Sequence, residues 1–228
     1  MFTINDVKKS LCNCIATLEK YFNTITTNVP LDDEALKKVD GYLKWTDLKT
    51  NIISNESNFA MPCNALPNKI DGYIHSYLYP DKQAVVDKYY KKNSSSGNFT
   101  ININKKSIPA NEVELLINNL VLRRGNVVWV NFGFNIGSEF GGKHPALILK
   151  NTKNTLIVLP LSSQPPKNPS INVEIDTVYG FPIRKRWGSI LRIVPVSVMR
   201  IDFESPHGSV KNEVLKDISA KIKTYGIK

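Results

Sequence analysis

Cysteine is scarce in this chain. The 228 residues contain three, Cys12, Cys14 and Cys63, which cannot all pair within one molecule, so a disulfide framework is excluded and a reduced, cytoplasmic setting fits. Cys12-x-Cys14 lacks the second ligand pair that a structural zinc site needs. His75 and His207 have no Cys or His neighbours at ligand spacing, so neither a metal nor any other cofactor is expected. No apolar run approaches the ~18 residues of a membrane span. The opening MFTINDVKKSLCNC lacks the basic start and continuous apolar core of a secretory signal. Arginine is absent from the first half: Arg123, Arg124, Arg184, Arg186, Arg192 and Arg200 all follow residue 122.

That asymmetry belongs to a wider one. The formal net charge is +10. Residues 111–228 hold 16 Lys+Arg against 9 Asp+Glu, whereas residues 1–110 hold 14 against 11. The planar guanidinium fork suits bidentate phosphate contact better than the ammonium of lysine. A basic, arginine-bearing second half therefore favours a polyanionic partner. The competing reading is solubility alone in a lysine-rich chain.

Periodicity divides the chain. Ile4, Val7, Leu11, Ile15, Leu18, Phe22 and Ile25 recur every three or four residues, predicting one amphipathic helix stopped by Pro30. Asp32 is a plausible N-cap for a second helix near 33–49 with Leu36, Val39 and Leu43 on one face. Residues 54–80 read as irregular. A third helix is predicted near 81–92, then a polar loop from Asn93 to Asn98, a short strand or extended linker from Phe99 to Ile103, and a helix over 110–122. Strands follow near 126–132, 145–150, 154–161, 171–176, 189–195 and 197–201, and a closing helix near 209–224 stopped by Gly226. The expectation is an α+β chain: residues 1–110 a mainly helical extension of unknown role, residues 111–228 a small antiparallel barrel with a terminal helix, the border lying between 93 and 122.

The densest chemistry lies in residues 123–149. Asn126 to Phe132 is a β-branched and aromatic strand, and Ala146 to Leu149 is a second strand entered through Pro145. The connection between them, roughly 133–144, carries four glycines with Ser138, Glu139, Lys143 and His144. It exceeds the usual length of a hairpin loop, and such loops tend to be functional.

Arg124-Gly125-Asn126-Val127-Val128-Trp129-Val130 followed by Gly137-Ser138-Glu139-Phe140-Gly141-Gly142-Lys143-His144-Pro145 resembles the MazF/PemK toxins, the endoribonucleases of toxin–antitoxin pairs. The resemblance extends from Arg124 to about Lys221 and leaves out the first 110 residues. It implies an SH3-like barrel, a homodimer with single-stranded RNA across the dimer groove, metal-independent cleavage leaving a 2′,3′-cyclic phosphate, and neutralisation by a cognate antitoxin protein. The family Arg before the proline is His144 here. The places of a family charged pair read Val194 and Ser197.

RNA cleavage of this kind needs a base, an acid and cations for the phosphorane. By family register the catalytic candidates are His144, Ser162 and Arg192. His144 titrates near neutral pH; otherwise it is a polar turn residue. Ser162 ends the apolar run from Leu156; otherwise Ser162-Ser163 is a turn cap. Arg192 stands in an apolar strand, costly to bury unless it faces a cleft; otherwise it is a surface or ion-paired side chain. Lys143, Arg184, Lys185 and Arg186 are candidates to hold phosphates, with Trp187 to stack a base and with Glu139 and Ser163 beside the RNA; otherwise 181–187 is a solvated hairpin tip with Trp187 in the core. The function expected is a toxin-like endoribonuclease. The alternatives are a degenerate nucleic-acid- or partner-binding module of the same fold, and a gyrase-inhibiting toxin of the same barrel.

Overall fold

Two amphipathic helices begin the chain in the computed structural model, which describes residues 3–27, 33–134 and 140–226. Helix α1 spans Ile4–Thr27 and α2 spans Asp33–Ser54. Thr3 and Asp6 cap α1 reciprocally, the Thr3 amide donating to Asp6 Oδ2 at 2.7 Å and the Asp6 amide to Thr3 Oγ1 at 3.4 Å. Pro30, Asp32 and Glu139, and the side chain of Ile25, fall outside the described residues. The chain divides into two compact units, Met1–Ser54 and Asn55–Lys228. The sequence border between 93 and 122 is therefore not where the compact units part.

Within the second unit, residues 55–122 are built from short pieces: β1 (Lys69–Ile70), α3 (Gly72–Ser76), α4 (Pro80–Tyr89), β2 (Tyr90–Lys92), β3 (Phe99–Ile101) and α5 (Ala110–Leu120). The helix expected over 81–92 ends at Tyr89, because Tyr90 and Lys92 pair with Ile101 and Phe99 in a sheet ordered β1-β3-β2. Val113, Leu116, Ile117 and Leu120 form the buried stripe of α5. Buried Asn126 ties that helix to the next strand, its Nδ2 donating to the Leu120 and Val121 carbonyls at 2.9 Å each and so satisfying acceptors that a helix end leaves orphaned.

The remaining elements are β4 (Asn126–Gly133), β5 (Gly142–Asn151), β6 (Thr155–Pro160), β7 (Asn172–Ile175), β8 (Arg186–Ser189), β9 (Val194–Ser197), β10 (Ile201–Asp202), β11 (Gly208–Ser209) and α6 (Asn212–Thr224). An antiparallel sheet runs β10-β4-β5-β6-β9, with β11 also on β4, and curls into a half-barrel. The β7–β8 ribbon is bridged to it where Ser162 meets Trp187. The expected strand over 189–195 is interrupted by a 3₁₀ turn at Ile190–Arg192. The strand expected over 197–201 is mostly a second such turn, with the Ser197 hydroxyl accepting from the Met199 amide at 3.3 Å.

Alternation along the central strands gives the sheet two buried faces. Val128, Val130, Ala146, Ile148 and Val158 share a core with Leu66, Tyr90, Leu116 and Ile117 from the preceding helical segment. Val127, Leu147, Leu159 and Leu161 share another with Ile175, Phe181 and Ile190, and with Leu215 and Ile218 of α6. Both faces are thus covered, one by residues before the sheet and one by residues after it.

Candidate RNA-binding cleft

The register of β5 against β6 sets the site. Ala146 pairs with Pro160, and the Leu161 amide donates to the Pro145 carbonyl at 2.8 Å. Carried one residue further, that register brings His144 opposite Ser162. Ser162 is in turn locked to β8: its amide donates to the Trp187 carbonyl and the Trp187 amide donates back, both at 2.9 Å. Gly188 permits this close approach, since a Cβ there would lie 2.6 Å from Leu159 Cδ2.

Around this junction lies a cleft of about 540 Å³ lined by Phe140, Ser162, Lys167, Trp187, Leu191 and Arg192, among others. Arg192 ends the 3₁₀ turn, whose Ile190 is buried with its amide held by the Ile171 carbonyl at 3.0 Å. That anchor leaves Leu191 and Arg192 exposed at the cleft. The burial-cost argument for Arg192 therefore does not apply, because it stands on an exposed turn and not within a strand. Its guanidinium lies 5.4 Å from the Phe140 ring centre, a cation–π distance. The same ring stands 4.5 Å from the His144 ring and meets Phe132 edge-on at 5.3 Å.

His144 is half-buried. Burial pushes its pKa below the usual imidazole value of 6.5, against an opposing hydrogen bond that the ring donates to the Gly141 backbone. A neutral imidazole at physiological pH can accept a proton. The Ser162 hydroxyl accepts from the Gln164 amide at 3.0 Å, so Ser162 does cap its turn while also lining the cleft.

Three of the expected phosphate ligands are committed elsewhere. Lys143 points away from its neighbour His144, onto the opposite face of β5, where it pairs with Asp202 and sits 5.8 Å from the Trp129 ring centre. Burial would raise the Asp202 carboxyl, but hydrogen bonds from Lys143, Ser205 and the Glu204 amide outweigh it and hold the pKa at about 2. Arg186 corrects the sequence reading most sharply, for it is only 2% exposed. Its guanidinium donates to the Arg184 carbonyl at 3.1 Å and the Pro182 carbonyl at 3.4 Å, beneath the Phe181 ring at 5.2 Å. Lys185 pairs with Glu174 and, at 3.6 Å, with Asp176, and its pKa is raised chiefly by the Glu174 hydrogen bond. Arg184 and Ser163 are exposed. Trp187 is half-buried, its Nε1 donating to Glu174 Oε2 at 3.4 Å.

Sequence reasoning overlooked Phe140, Lys167 and Gln164. Phe140 adjoins the Gly141-Gly142 pair, and Pro165-Pro166 before Lys167 marks a loop; nothing in either pattern tells which way the side chains turn.

Residues 123–225 match the family described as PemK-like, MazF-like toxin of type II toxin-antitoxin system. That match covers a little under half of the chain and makes this part a PemK/MazF-like, toxin-like domain by similarity. The toxin-like domain is also similar to solved structures at low identity. A MazE–MazF crystal structure from Deinococcus radiodurans is 19% identical with a TM-score of 0.36, covering 47% of this chain and 98% of that one. MazF from the same organism is 20% identical with a TM-score of 0.38, covering 46% and 96%. The Mycobacterium tuberculosis toxin MazF-mt6 is 14% identical with a TM-score of 0.34, covering 44% and 94%. Comparison with curated proteins gives no match. Among the described residues no group of His, Cys, Asp or Glu could hold a metal ion, and no helix is long and apolar enough to cross a membrane.

Proposed function

We propose that the toxin-like domain cleaves single-stranded RNA without a metal ion, as the toxin of a type II toxin–antitoxin pair in the cytoplasm. The observation that carries this reading is the convergence of Ser162, Trp187 and Arg192 on one cleft, with Phe140 linking Arg192 to His144. His144, neutral at physiological pH, takes the 2′-hydroxyl proton. The 2′-oxygen then attacks phosphorus, and the 5′-oxygen leaves with a proton from water at the open mouth. Arg192 stabilises the dianionic phosphorane, Ser162 donates to a phosphoryl oxygen, and Lys167 adds a second cation on the loop after β6. Trp187 offers a stacking face for an unpaired base, and Arg184 an exposed contact for the backbone. A homodimer and a cognate antitoxin protein complete the reading.

A binding module without catalysis is the second reading. It is favoured by Val194 and Ser197 at the charged-pair places and by the internal pairing of Lys143, Lys185 and Arg186. The two are separated by incubating the purified chain with a long single-stranded RNA in EDTA, beside His144→Ala and Arg192→Ala. Cleavage by the parent that both variants lose is the expected result. Intact RNA with salt-sensitive binding sinks the nuclease reading and leaves the module.

A further inference from the structure

Helices α1 and α2 form a unit with almost no interior. Of its described residues only Val39 is buried, at 8% exposure. An isolated pair of helices without a core is marginal in water, since helix stability in proteins comes mainly from packing an apolar face. Leu18, Tyr21 and Phe22 share a groove with Val39, Tyr42 and Leu43, so the C-terminal part of α1 meets α2. The N-terminal part does not bury its stripe: Ile4 is 68% exposed and Leu11 59%, with Val7 and Ile15 also exposed.

The stripe has a seven-residue period. Ile4, Leu11 and Leu18 fall at one position of a heptad and Val7, Cys14 and Tyr21 at the other seam position, the arrangement that supports a two-stranded coiled coil. The flanking positions are Lys8, Ser10, Ile15, Thr17, Phe22 and Thr24, with a single charge among them. Residues 1–54 carry seven lysines and seven carboxylates, neutral within a chain of net charge +10.

We propose that α1 pairs in parallel with α1 of a second copy of this chain, forming a coiled coil with Cys14 facing Cys14 across the seam. The seam asks for a mate that is helical, apolar and nearly uncharged, and a second copy supplies one without charge repulsion. An acidic partner would find only Lys8 at the flanks, and RNA would find no basic face. The stretch whose stripe is left open, Ile4 to Ile15, is about 18 Å of helix. The rest of the roughly 800 Å² per partner of a standard interface would come from α2. This contact is independent of any pairing through the β-domain.

The two exposed cysteines of α1 provide the test. Cys14 lies on the seam and Cys12 beside it on the outer side, so in the pair only Cys14 atoms come within the ~7 Å Cα separation that a disulfide tolerates. Full-length Cys12→Ser/Cys63→Ser, which keeps Cys14, and Cys14→Ser/Cys63→Ser, which keeps Cys12, are each oxidised in dilute solution with dipyridyl disulfide. Two thiols lose two protons and two electrons to the reagent and form one S–S bond. The Cys14 chain should link into covalent dimers about tenfold more than the Cys12 chain. Leu11→Lys added to the Cys14 chain should bring it down to the Cys12 level. Equal yields, no linkage, or linkage that Leu11→Lys leaves unchanged overturns the proposal, as does linkage appearing only after a different protein is added. A β-domain dimer cannot mimic the result, because it provides no reason for Cys14 to outrun Cys12.

Discussion

The guanidinium of Arg192 lies 5.4 Å from the centre of the Phe140 ring, and that ring also stands 4.5 Å from the His144 ring. One side chain thereby orients two candidate catalytic groups carried on different elements. Phe140→Ala should lower kcat/KM for RNA cleavage by roughly tenfold, consistent with losing a cation–π contact of about 1 kcal/mol and some positioning of His144. Phe140→Tyr should keep most of the activity. Steady-state cleavage of a fluorogenic RNA checks both, and equal damage by the two substitutions would count against the positioning role.

His144 predicts the shape of the pH profile. Its folded pKa is lowered by burial, so the imidazole stays neutral to a lower pH than in the unfolded chain. The acid limb of kcat/KM should therefore have its midpoint below 6.5, with activity rising with pH to a plateau. The same shift makes folding stability full above the ordinary histidine pKa and lost as pH falls below it. A limb centred at or above 6.5 would contradict the burial account.

Arg186 and Arg192 should separate stability from activity. Arg186→Ala removes a buried side chain and strands the Pro182 and Arg184 carbonyls. It should cost about 2 kcal/mol, lowering Tm by about 4–8 °C. Arg192→Ala, on an exposed turn, should abolish cleavage with Tm changed by less than about 1 °C. Differential scanning calorimetry beside the RNA assay distinguishes the two.

Asp202 sets an acid limit. Its pKa is about 2 in the folded chain against an ordinary 3.8. The stability it contributes is present above 3.8 and lost as pH falls through about 2. The full difference is about 2 kcal/mol. Urea unfolding should show Asp202→Asn less stable than the parent by that order at pH 6, with the gap shrinking toward pH 2.

Gly188→Ala should destabilise by about 1–3 kcal/mol, because the new methyl meets the buried Leu159 and β8 must lift from β6. Trp187 would move with β8, so RNA binding measured by fluorescence anisotropy should weaken at temperatures where the variant is still folded.

What could be read in the sequence depended on range. The stripe of α5, the strands through Trp129 and Ile148, and the Gly226 end of α6 follow from local periodicity and turn chemistry, and each stands close to its expected place. The apolar run to Leu161 also put Ser162 at a strand end correctly. The fate of the basic residues was not legible, because it depends on partners distant in sequence. Lys143 finds Asp202 across β4, Lys185 finds Glu174 on the facing strand, and Arg186 turns inward onto carbonyls of its own loop. Arg192 lines a cleft, but from an exposed 3₁₀ turn and not from within a strand, and that turn is held by Ile171, distant in sequence.

The shared core between residues 55–122 and one face of the sheet has a practical consequence. Cutting the gene at the family boundary, before Arg123, would strip Leu66, Tyr90, Leu116 and Ile117 from Val128, Val130, Ala146 and Ile148. The excised piece would present a greasy sheet surface to solvent and would be expected to precipitate when expressed. The upstream segment is thus one wall of the sheet's core, and the sheet depends on it to stay closed.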